Sequence, residues 1–422
     1  MSLLIRNGRV IDPANKRDDV SDVFITEGKI ESVGHDITKT ADTVIDAAGC
    51  WVTPGFIDMH VHLREPGYEY KETIETGGRA AVKGGFTTVC CMPNTKPVLD
   101  NPEMIADIYA KAGRYAKVLP IGSITRGQQG ESLTNIQLLK EAGACGVSED
   151  GKSVADARLM HQALEKAMAC NLLVLDHCED TNLSSGGVIN EGTAAKRFSL
   201  PGISPLAEDV MTARDLLLAE AAGAQIHLCH ISTARSAGLL KDAKRRGVRA
   251  TGETCPHYFS LHENDILTDD GKYKMNPPLR SYADMLAMRR ALAEDVIDVI
   301  ATDHAPHSGE DKSGGFMKAA FGIVGLETAL GLCITNLVNT GVLSPPQLIR
   351  KLTVNPARIL GISSGTLSEG APADIAVIDP QFAWTVNPSV FISKGRNTPF
   401  GGVRLTGMVK FTLVDGRIVY GH

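Results

Sequence analysis

Short apolar runs alternate with amphipathic segments between about residue 50 and residue 360. The apolar runs predict strands over 51–62, 86–93, 117–124, 144–149, 172–177, 225–231, 248–254 and 296–302. Between several of them, apolar residues recur every three or four positions, which predicts helices over 101–115, 156–170, 206–222, 234–246 and 282–293. Eight strands that alternate with helices indicate an α/β fold, a parallel (β/α)8 barrel of the TIM type.

The two ends of the chain follow a different pattern. Residues 3–50 and 373–421 carry short apolar runs separated by turns such as Asn7-Gly8 and Asp415-Gly416. Short strands joined by such turns are typical of a β-sandwich. Since matching pieces flank the barrel, we expect a small β-sandwich domain built from both termini, residues 1–52 and 365–422, around a catalytic barrel of residues 53–364.

Composition narrows the classes of function. The 422 residues are 43% hydrophobic, enough for a large core, and the net charge is −6 with no basic run. This balance excludes nucleic acid and anionic membranes as expected partners and favours a small-molecule substrate. We find neither a signal peptide nor an apolar run near the ~20 residues of a membrane helix, and we expect a cytoplasmic protein. The nine cysteines contain no CxxC pair, which favours reduced core thiols.

Two histidines stand two positions apart at the end of the first predicted barrel strand. Residues i and i+2 of a strand share one face, about 6–7 Å apart, so His60 and His62 can hold one metal ion. Arg64 lies on the same face, and a cation beside a metal suggests an anionic substrate. Alone, the motif is also compatible with two packed histidines and a surface arginine.

Further ionisable residues end other predicted strands. They are Glu149, Asp150, His177, His230 and Asp303. The carboxyl ends of barrel strands share one mouth, so four imidazoles with carboxylates converging there predict a metal site. Glu149 and Asp150 remain alternatives, because neighbours on a strand face opposite ways and only one can point inwards. By the same alternation, His227, Cys178 and Cys229 are expected to face away from the site.

Residues 58–67, 92–95, 177–180 and 301–307 together resemble the dihydroorotases of the bacterial class I type, in the amidohydrolase superfamily. The resemblance spans nearly the whole chain. It implies zinc ligation by His60, His62, His177, His230 and Asp303, with Asp150 bridging or supporting the metals. A carbamylated lysine often bridges two metals in the superfamily, but the nearby Lys152 lies beyond Gly151, so the chain is expected to bind one or two zinc ions.

The resemblance also implies a reaction, the reversible interconversion of N-carbamoyl-L-aspartate and L-dihydroorotate in de novo pyrimidine (UMP) biosynthesis. Zinc would activate water and polarise the amide carbonyl, and Asp303 would act as the general base. The implied substrate-binding residues are Arg64, Asn94 and His307 for the carboxylate, Asn276 for the ring, and Gly322 as a backbone donor. The glycine-rich segment 308–321 is either a lid that closes over substrate or an ordinary solvent loop.

Two other functions stay open. A hydantoinase or allantoinase-like cyclic amidase would share the barrel and the paired histidines, although Arg64 favours an acidic substrate. A scaffold partner of aspartate transcarbamoylase would not need the metal ligands that this chain keeps, but an active enzyme could also bind that transferase. The resemblance further implies a homodimer.

Overall fold

The strands and helices of the chain follow the predicted alternation. The structure is a computed structural model that describes residues 2–421. Its strands are β1 (Ser2–Asp12), β2 (Arg17–Thr26), β3 (Lys29–Gly34), β4 (Thr43–Asp46), β5 (Trp51–Pro54), β6 (Phe56–Val61), β7 (Phe86–Cys91), β8 (Lys117–Ser123), β9 (Gly146–Ser148), β10 (Leu173–Asp176), β11 (Ile189–Asn190), β12 (Gly202–Ile203), β13 (Ile226–Leu228), β14 (Ala250–Thr254), β15 (Val299–Ile300), β16 (Ile375–Thr385), β17 (Arg404–Val414) and β18 (Arg417–Gly421). Its α-helices are α1 (Ile74–Lys83), α2 (Pro102–Lys111), α3 (Ile136–Glu141), α4 (Ala157–Ala169), α5 (Thr181–Ser184), α6 (Thr193–Phe198), α7 (Leu206–Ala222), α8 (Ala234–Arg245), α9 (Pro256–Ser260), α10 (Tyr282–Ala293), α11 (Gly315–Lys318), α12 (Ala329–Cys333), α13 (Pro345–Leu352) and α14 (Val354–Leu360).

A parallel barrel forms the centre of the molecule. Its strands pair in the order β6-β7-β8-β9-β10-β13-β14-β15. The ring closes where His62 N–H donates to the His304 carbonyl at 2.8 Å, next to a parallel bridge between Val61 and His304. Cys90, Ile121, Leu175 and Val299 come from four different strands and form one buried cluster, which fills the barrel interior. The predicted (β/α)8 barrel is confirmed.

The five predicted helices are present as α2, α4, α7, α8 and α10, with ends shifted by a few residues. In α4, the Asp156 side chain caps the first turn by accepting from the Arg158 and Leu159 amides. The same helix buries Met160, Ala163, Leu164 and Ala167, the spacing from which it was predicted. Within residues 2–421, no helix combines the length and the apolar character needed to cross a membrane.

The two termini build a second sheet, as predicted. Its strands pair in the order β18-β17-β16-β5-β1-β2-β3, and β4 pairs with β1. A separate buried cluster joins Ile5 and Val23 from the N-terminal strands to Ile375 and Leu413 from the C-terminal strands. Neither end could bury its apolar face alone, so each strand set supplies the other's core.

The strand predicted over 51–62 is wrong in one respect: it is two strands. β5 pairs with β1 and β16 of the terminal sheet, whereas β6 pairs with β7 of the barrel. Gly55 separates them, and a Cβ there would lie 2.2 Å from side-chain atoms of Thr87. The apolar residues on both sides of Pro54-Gly55 suggest one strand, because local periodicity does not show which strand each half pairs with.

Candidate metal centre

Six predicted ligands meet at the carboxyl ends of the barrel strands. His60 lies in β6 and His62 just after it, while Asp150, His177, His230 and Asp303 follow β9, β10, β13 and β15. All six side chains are buried. The strand ends therefore bring together the residues that the sequence placed far apart.

The Asp150 carboxylate stands at the centre of the four imidazoles. Its Oδ1 lies 3.3 Å from His60 Nε2, 3.4 Å from His177 Nδ1 and 3.5 Å from His230 Nε2. Its other oxygen, Oδ2, lies 3.4 Å from His62 Nε2. One carboxylate facing every ring is placed to bridge two cations or to support one.

Asp303 closes the cluster from the eighth strand. Its Oδ1 lies 3.1 Å from His62 Nε2 and 3.5 Å from His60 Nε2. Asp303 and His230 both have positive φ, 49° and 37°, a backbone conformation that non-glycine residues rarely adopt. Such backbone concentrates at functional sites, where the surrounding structure holds it in place.

The donor set fits a divalent metal ion. Among the described residues, Asp150 Oδ1 and His60 Nε2 are buried without a hydrogen-bond partner, and each such group costs roughly 1–3 kcal/mol unless something satisfies it. Two of the triads whose ligand atoms lie within 4.8 Å of one another consist only of predicted ligands: His60, His62 and Asp303, and His60, Asp150 and His230. Imidazole and carboxylate donors suit zinc, among other metals.

The electrostatics at His60 also indicate a need for positive charge in the cluster. Burial lowers the pKa of His60, but Asp150 and Asp303 outweigh it and raise that pKa well above its ordinary value. The buried carboxylates thus demand positive charge at this point, which a proton or a metal ion can supply.

Glu253 of β14 orients two histidines at once. It accepts from His60 Nδ1 at 2.8 Å and from His227 Nε2 at 3.2 Å, and all three side chains are fully buried. With its Nδ1 proton held there, His60 presents Nε2 to the site. Sequence reasoning missed Glu253; the available signal was a charged residue on the inward face of an otherwise buried strand.

Two of the other rings, those of His62 and His177, are also oriented by a neighbouring acceptor. His62 Nδ1 donates to Asn94 Oδ1 at 2.9 Å, and His177 Nε2 donates to Glu179 Oε2 at 2.9 Å. Glu179 also accepts from Asn276 Nδ2 at 2.9 Å, which links the predicted ring-binding residue to the metal ligands.

At the fourth strand, only one of the two neighbouring carboxylates faces the site, as strand alternation predicts. Asp150 faces the histidines, whereas Glu149 points away and accepts from the Thr125 amide at 3.0 Å and from the Thr125 hydroxyl. Of the two alternatives, Asp150 is the residue beside the ligands.

The prediction from strand alternation that His227 and Cys229 face away from the site is wrong. His227 contacts Glu253 inside the barrel, and Cys229 belongs to the interior cluster, with its thiol near His60 and Glu253. β13 ends at Leu228, and the positive φ of His230 breaks the alternation that was extrapolated from it. Cys178 does pack in the main core outside the barrel, with its thiol 3.1 Å from Asp176 Oδ2.

A pocket of about 150 Å³ opens beside the ligands and is lined in part by Arg64, Asn94, Asn276 and Gly322. Arg64 Nε donates to the Pro306 carbonyl at 3.2 Å. Burial lowers the pKa of Arg64 to about 10, so the guanidinium stays charged near neutral pH. A fixed cation within reach of a metal site suits an anionic substrate.

Two predicted substrate-binding residues, His307 and Gly322, are placed less favourably for contact with substrate than Arg64, Asn94 and Asn276. His307 lies behind Arg64, with its Nε2 3.2 Å from Arg64 Nη2. Gly322 lines the pocket, but its N–H donates to the Lys274 carbonyl at 3.0 Å, so the donor expected for substrate is already engaged. Local sequence does not reveal this bond, because its partner lies far away in the chain.

The chain matches two family models: "Dihydro-orotase-like" over residues 49–236 and "Amidohydrolase family" over residues 210–420. A dihydroorotase of Pelotomaculum thermopropionicum is 52% identical and covers 99% of this chain and 98% of its own length. A dihydroorotase of Syntrophus aciditrophicus is 48% identical, with 100% and 99% covered. The chain belongs to the dihydroorotase family.

Solved structures extend the likeness to other cyclic amidases. An L-hydantoinase (dihydropyrimidinase) from Arthrobacter aurescens superposes with a TM-score of 0.89 at 26% identity and covers 99% of this chain and 96% of its own. A dihydropyrimidinase from Brevibacillus agri superposes with a TM-score of 0.87, also at 26% identity, with 100% and 95% covered. The fold is thus shared with hydantoinases, whereas full-length identity near one half connects this chain to dihydroorotases. The predicted enzyme class, a hydrolase of cyclic amides, is confirmed.

In this dihydroorotase-family chain, segment 308–321 is tied down by a buried lysine. Lys312 Nζ donates to the carbonyls of Lys274, Ala320 and Gly322 at 2.9, 2.6 and 2.9 Å. The segment also contains the short helix α11, and Phe316 N donates to Asp269 Oδ1 at 2.6 Å. These contacts join it to residues 269–274, so any closing motion would have to carry or break them.

Proposed function

We propose that this chain is a zinc-dependent dihydroorotase of the bacterial class I type, which interconverts N-carbamoyl-L-aspartate and L-dihydroorotate in pyrimidine synthesis. One observation carries the proposal: a buried cluster of four imidazoles and two carboxylates borders the pocket that the Arg64 cation also lines. The zinc ligands in this proposal are His60, His62, Asp150, His177, His230 and Asp303. The two triads of histidine and aspartate that share His60 support sites for one or two ions.

Bound zinc would supply Lewis acidity, which favours ionisation of water and polarises the amide carbonyl of the substrate. The chain's own residues fix the geometry for this chemistry. Glu253 and Asn94 hold the Nδ1 protons of His60 and His62, so both rings offer Nε2 to the same point. Asp150 balances the positive charge and lies within 3.5 Å of each ring.

Asp303 is the proposed catalytic residue. Burial raises the pKa of Asp303, but His60 and His62 outweigh it and keep that pKa below its ordinary value, so the group is ionised and able to take a proton from water. As water adds to the ring carbonyl, Asp303 accepts one proton and passes it to the departing ring nitrogen. The C–N bond breaks, the new carboxylic acid releases the second proton of the water to solvent and becomes a carboxylate, and Asp303 returns to its starting state. The same transfers in reverse close the ring.

Arg64 is the proposed anchor for the substrate carboxylate, assisted by Asn94 and His307, and Asn276 is the proposed ring contact. Arg64 has a half-buried, charged guanidinium at the pocket wall, and Asn276 is held beside the predicted ligands by Glu179. Gly322 contributes close backbone approach: its φ is 123°, and a Cβ there would lie 2.6 Å from Ala305 Cβ. The lid role for segment 308–321 remains part of this proposal and is tested by protease sensitivity with and without ligand.

A hydantoinase or allantoinase activity is the second candidate, favoured by the superposition on hydantoinases. The Arg64 cation argues against it, because a neutral ring would give that charge no anionic partner on the substrate. The deciding experiment compares turnover of dihydroorotate, hydantoin and allantoin by the zinc-loaded chain, with His60→Ala as the control. Turnover of dihydroorotate that disappears in the variant supports the proposal. Turnover of hydantoin alone would refute dihydroorotate as the substrate.

We also propose an oligomeric state, a partner protein, a domain division and a cellular location for this chain. We propose a homodimer, and aspartate transcarbamoylase as a partner of the active enzyme; co-elution of the two purified proteins tests the second. Division into a terminal domain, residues 1–52 and 365–422, and a barrel domain, residues 53–364, is tested by limited proteolysis. We propose a cytoplasmic location, supported by nine cysteines that are all free thiols, as a reducing compartment would keep them. Cell fractionation tests it.

A further inference from the structure

Arg280 is a buried arginine without a role in the mechanism proposed above. Only 3% of it is exposed, and its Nη2 lies 3.4 Å from Glu208 Oε2. Its Nε donates to Ser232 Oγ at 3.0 Å, and its Nη1 donates to Asn190 Oδ1 at 3.1 Å. The guanidinium therefore joins its own segment to three other parts of the chain, namely α7, the loop after β13, and β11.

Hydrogen bonds fix the backbone of Arg280 as well as its side chain. The Arg280 carbonyl accepts from the Glu263 amide at 2.8 Å, and Glu263 Oε2 accepts from Asn190 Nδ2 at 3.2 Å. Because Asn190 Oδ1 also accepts from Arg280 Nη1, these three residues form a closed ring of hydrogen bonds. A buried network whose members satisfy one another is rigid, so Arg280 has little freedom to move.

The segment that ends at Arg280 also carries Asn276, the proposed ring contact. Between them lie two prolines and a leucine, all buried. Each proline holds its φ at about −65°, which makes this connection stiff. The segment is fixed from a second side by Tyr258, whose hydroxyl donates to the Pro277 carbonyl at 2.5 Å. A displacement of Arg280 would therefore be passed on to Asn276.

We propose that Arg280 is a positioning residue, which through its buried pair with Glu208 fixes the proline segment and thereby directs the amide of Asn276 at the ring of the substrate. The inference rests on the proposed function and deepens it, because it says what holds the ring contact in place. Arg280 does not line the pocket, so it acts on the substrate only through Asn276.

The test variant removes the ion pair without leaving an unpaired charge. A glutamine in place of Glu208 can still accept from the Ser232 and Thr233 amides, and its NH₂ group can donate to Ser232 Oγ. Glu208→Gln/Arg280→Met therefore loses mainly the bonds of the guanidinium. We expect KM for dihydroorotate to rise about three- to tenfold, the value of one hydrogen bond, with kcat nearly unchanged, because the ring contact is made equally in the ground and transition states.

A positioning role differs from a merely structural one in how it combines with the loss of Asn276. In an Asn276→Ala background, the same pair of substitutions should leave KM unchanged, because the group that Arg280 positions is gone. The matched control is Lys244→Met/Asp298→Asn, which removes a partly buried ion pair of 2.6 Å at the amino ends of the barrel strands and should leave KM unchanged in both backgrounds. All chains are full length and zinc-loaded.

Labelling asparagine with ¹⁵N gives a readout that does not depend on turnover, since the Asn276 side-chain signals are assigned by their loss in Asn276→Ala. These signals should shift in Glu208→Gln/Arg280→Met and stay in place in the control. If the pair variant does not fold, Asn190→Ala replaces it, because it removes an acceptor of Arg280 without removing a charge. The same signals should then shift.

An equal rise in KM with and without Asn276 overturns the inference. Unshifted Asn276 signals, or an unchanged KM, in the folded variant overturn it as well. If the wild-type chain does not turn over dihydroorotate, the proposed substrate fails, but the Asn276 signals still decide whether Arg280 positions that residue.

Discussion

Replacing Glu253 by glutamine tests whether the carboxylate behind His60 tunes the metal site. Both oxygens of Glu253 accept a histidine N–H, from His60 at 2.8 Å and from His227 at 3.2 Å. Glutamine has nearly the same shape, but it offers one oxygen and one NH₂ group. It can still accept from His60 if His227 switches its tautomer and donates to Thr251 Oγ1, which lies 2.8 Å from His227 Nδ1.

The main loss in Glu253→Gln is therefore the negative charge rather than a hydrogen bond. His60 then becomes a weaker ligand base. Removing partners of this kind typically costs 10- to 100-fold in metal affinity or activity, which is ~1.4–2.7 kcal/mol. Glu253→Ala should cost more, because two fully buried ring nitrogens would lose their acceptor together.

The assay is competition for zinc between the purified chain and a chelator, followed by kcat/KM for dihydroorotate at saturating zinc. Glu149→Gln is the matched control, since Glu149 is also buried beside the site but faces Thr125. Zinc affinity that is equal in Glu253→Gln and the wild type would refute this reasoning, whereas a loss shared by both variants would indicate a general effect of removing buried charge.

Further predictions follow from the same contacts. Asp303→Asn should lower kcat by about 10²–10⁴-fold through loss of the general base, and stopped turnover with zinc still bound distinguishes this from ligand loss. Arg64→Met should raise KM for dihydroorotate more than Arg64→Lys does; equal KM values in both variants would contradict the anchoring role. Lys312→Met removes the donor shared by the carbonyls of Lys274, Ala320 and Gly322, two of which keep a second donor, and should lower the free energy of unfolding by roughly 1–3 kcal/mol in urea melts, whereas no change would mean that segment 308–321 is held mainly by other contacts. Burial lowers the pKa of His257 to about 4, so between that pH and about 6.5 the unfolded chain binds more protons than the folded one. Stability should fall by about 3 kcal/mol as the pH drops through this window, and His257→Phe should flatten that part of the profile; an identical slope would show that His257 does not cause it.

The barrel and the cluster of candidate ligands at its mouth could be predicted because their signals are local and repeated. Each strand contributes a short apolar run, and the polar residue that follows it lies at the shared mouth, as with His177 and Asp303. What could not be predicted depends on partners that are distant in sequence. Glu253 is functional only because His60 lies beside it, and β5 belongs to the terminal sheet only because β16 pairs with it. His227 was misplaced because alternation was carried past the end of a three-residue strand.

The split between β5 and β6 also bears on how the chain matures during synthesis. β5 lies between β1 and β16, so it completes its pairing only after β16, which ends at Thr385, has been made. At translation rates of roughly 5–20 residues per second, β5 waits on the order of 15–65 s for that partner. Throughout that time, the strand carrying His60 is joined by a single glycine to an unpaired edge. A nascent chain halted before β16 would therefore leave β5 with an unpaired edge that can pair with other chains and aggregate. Folding of the region that carries the metal site thus depends on synthesis of the C-terminal strands.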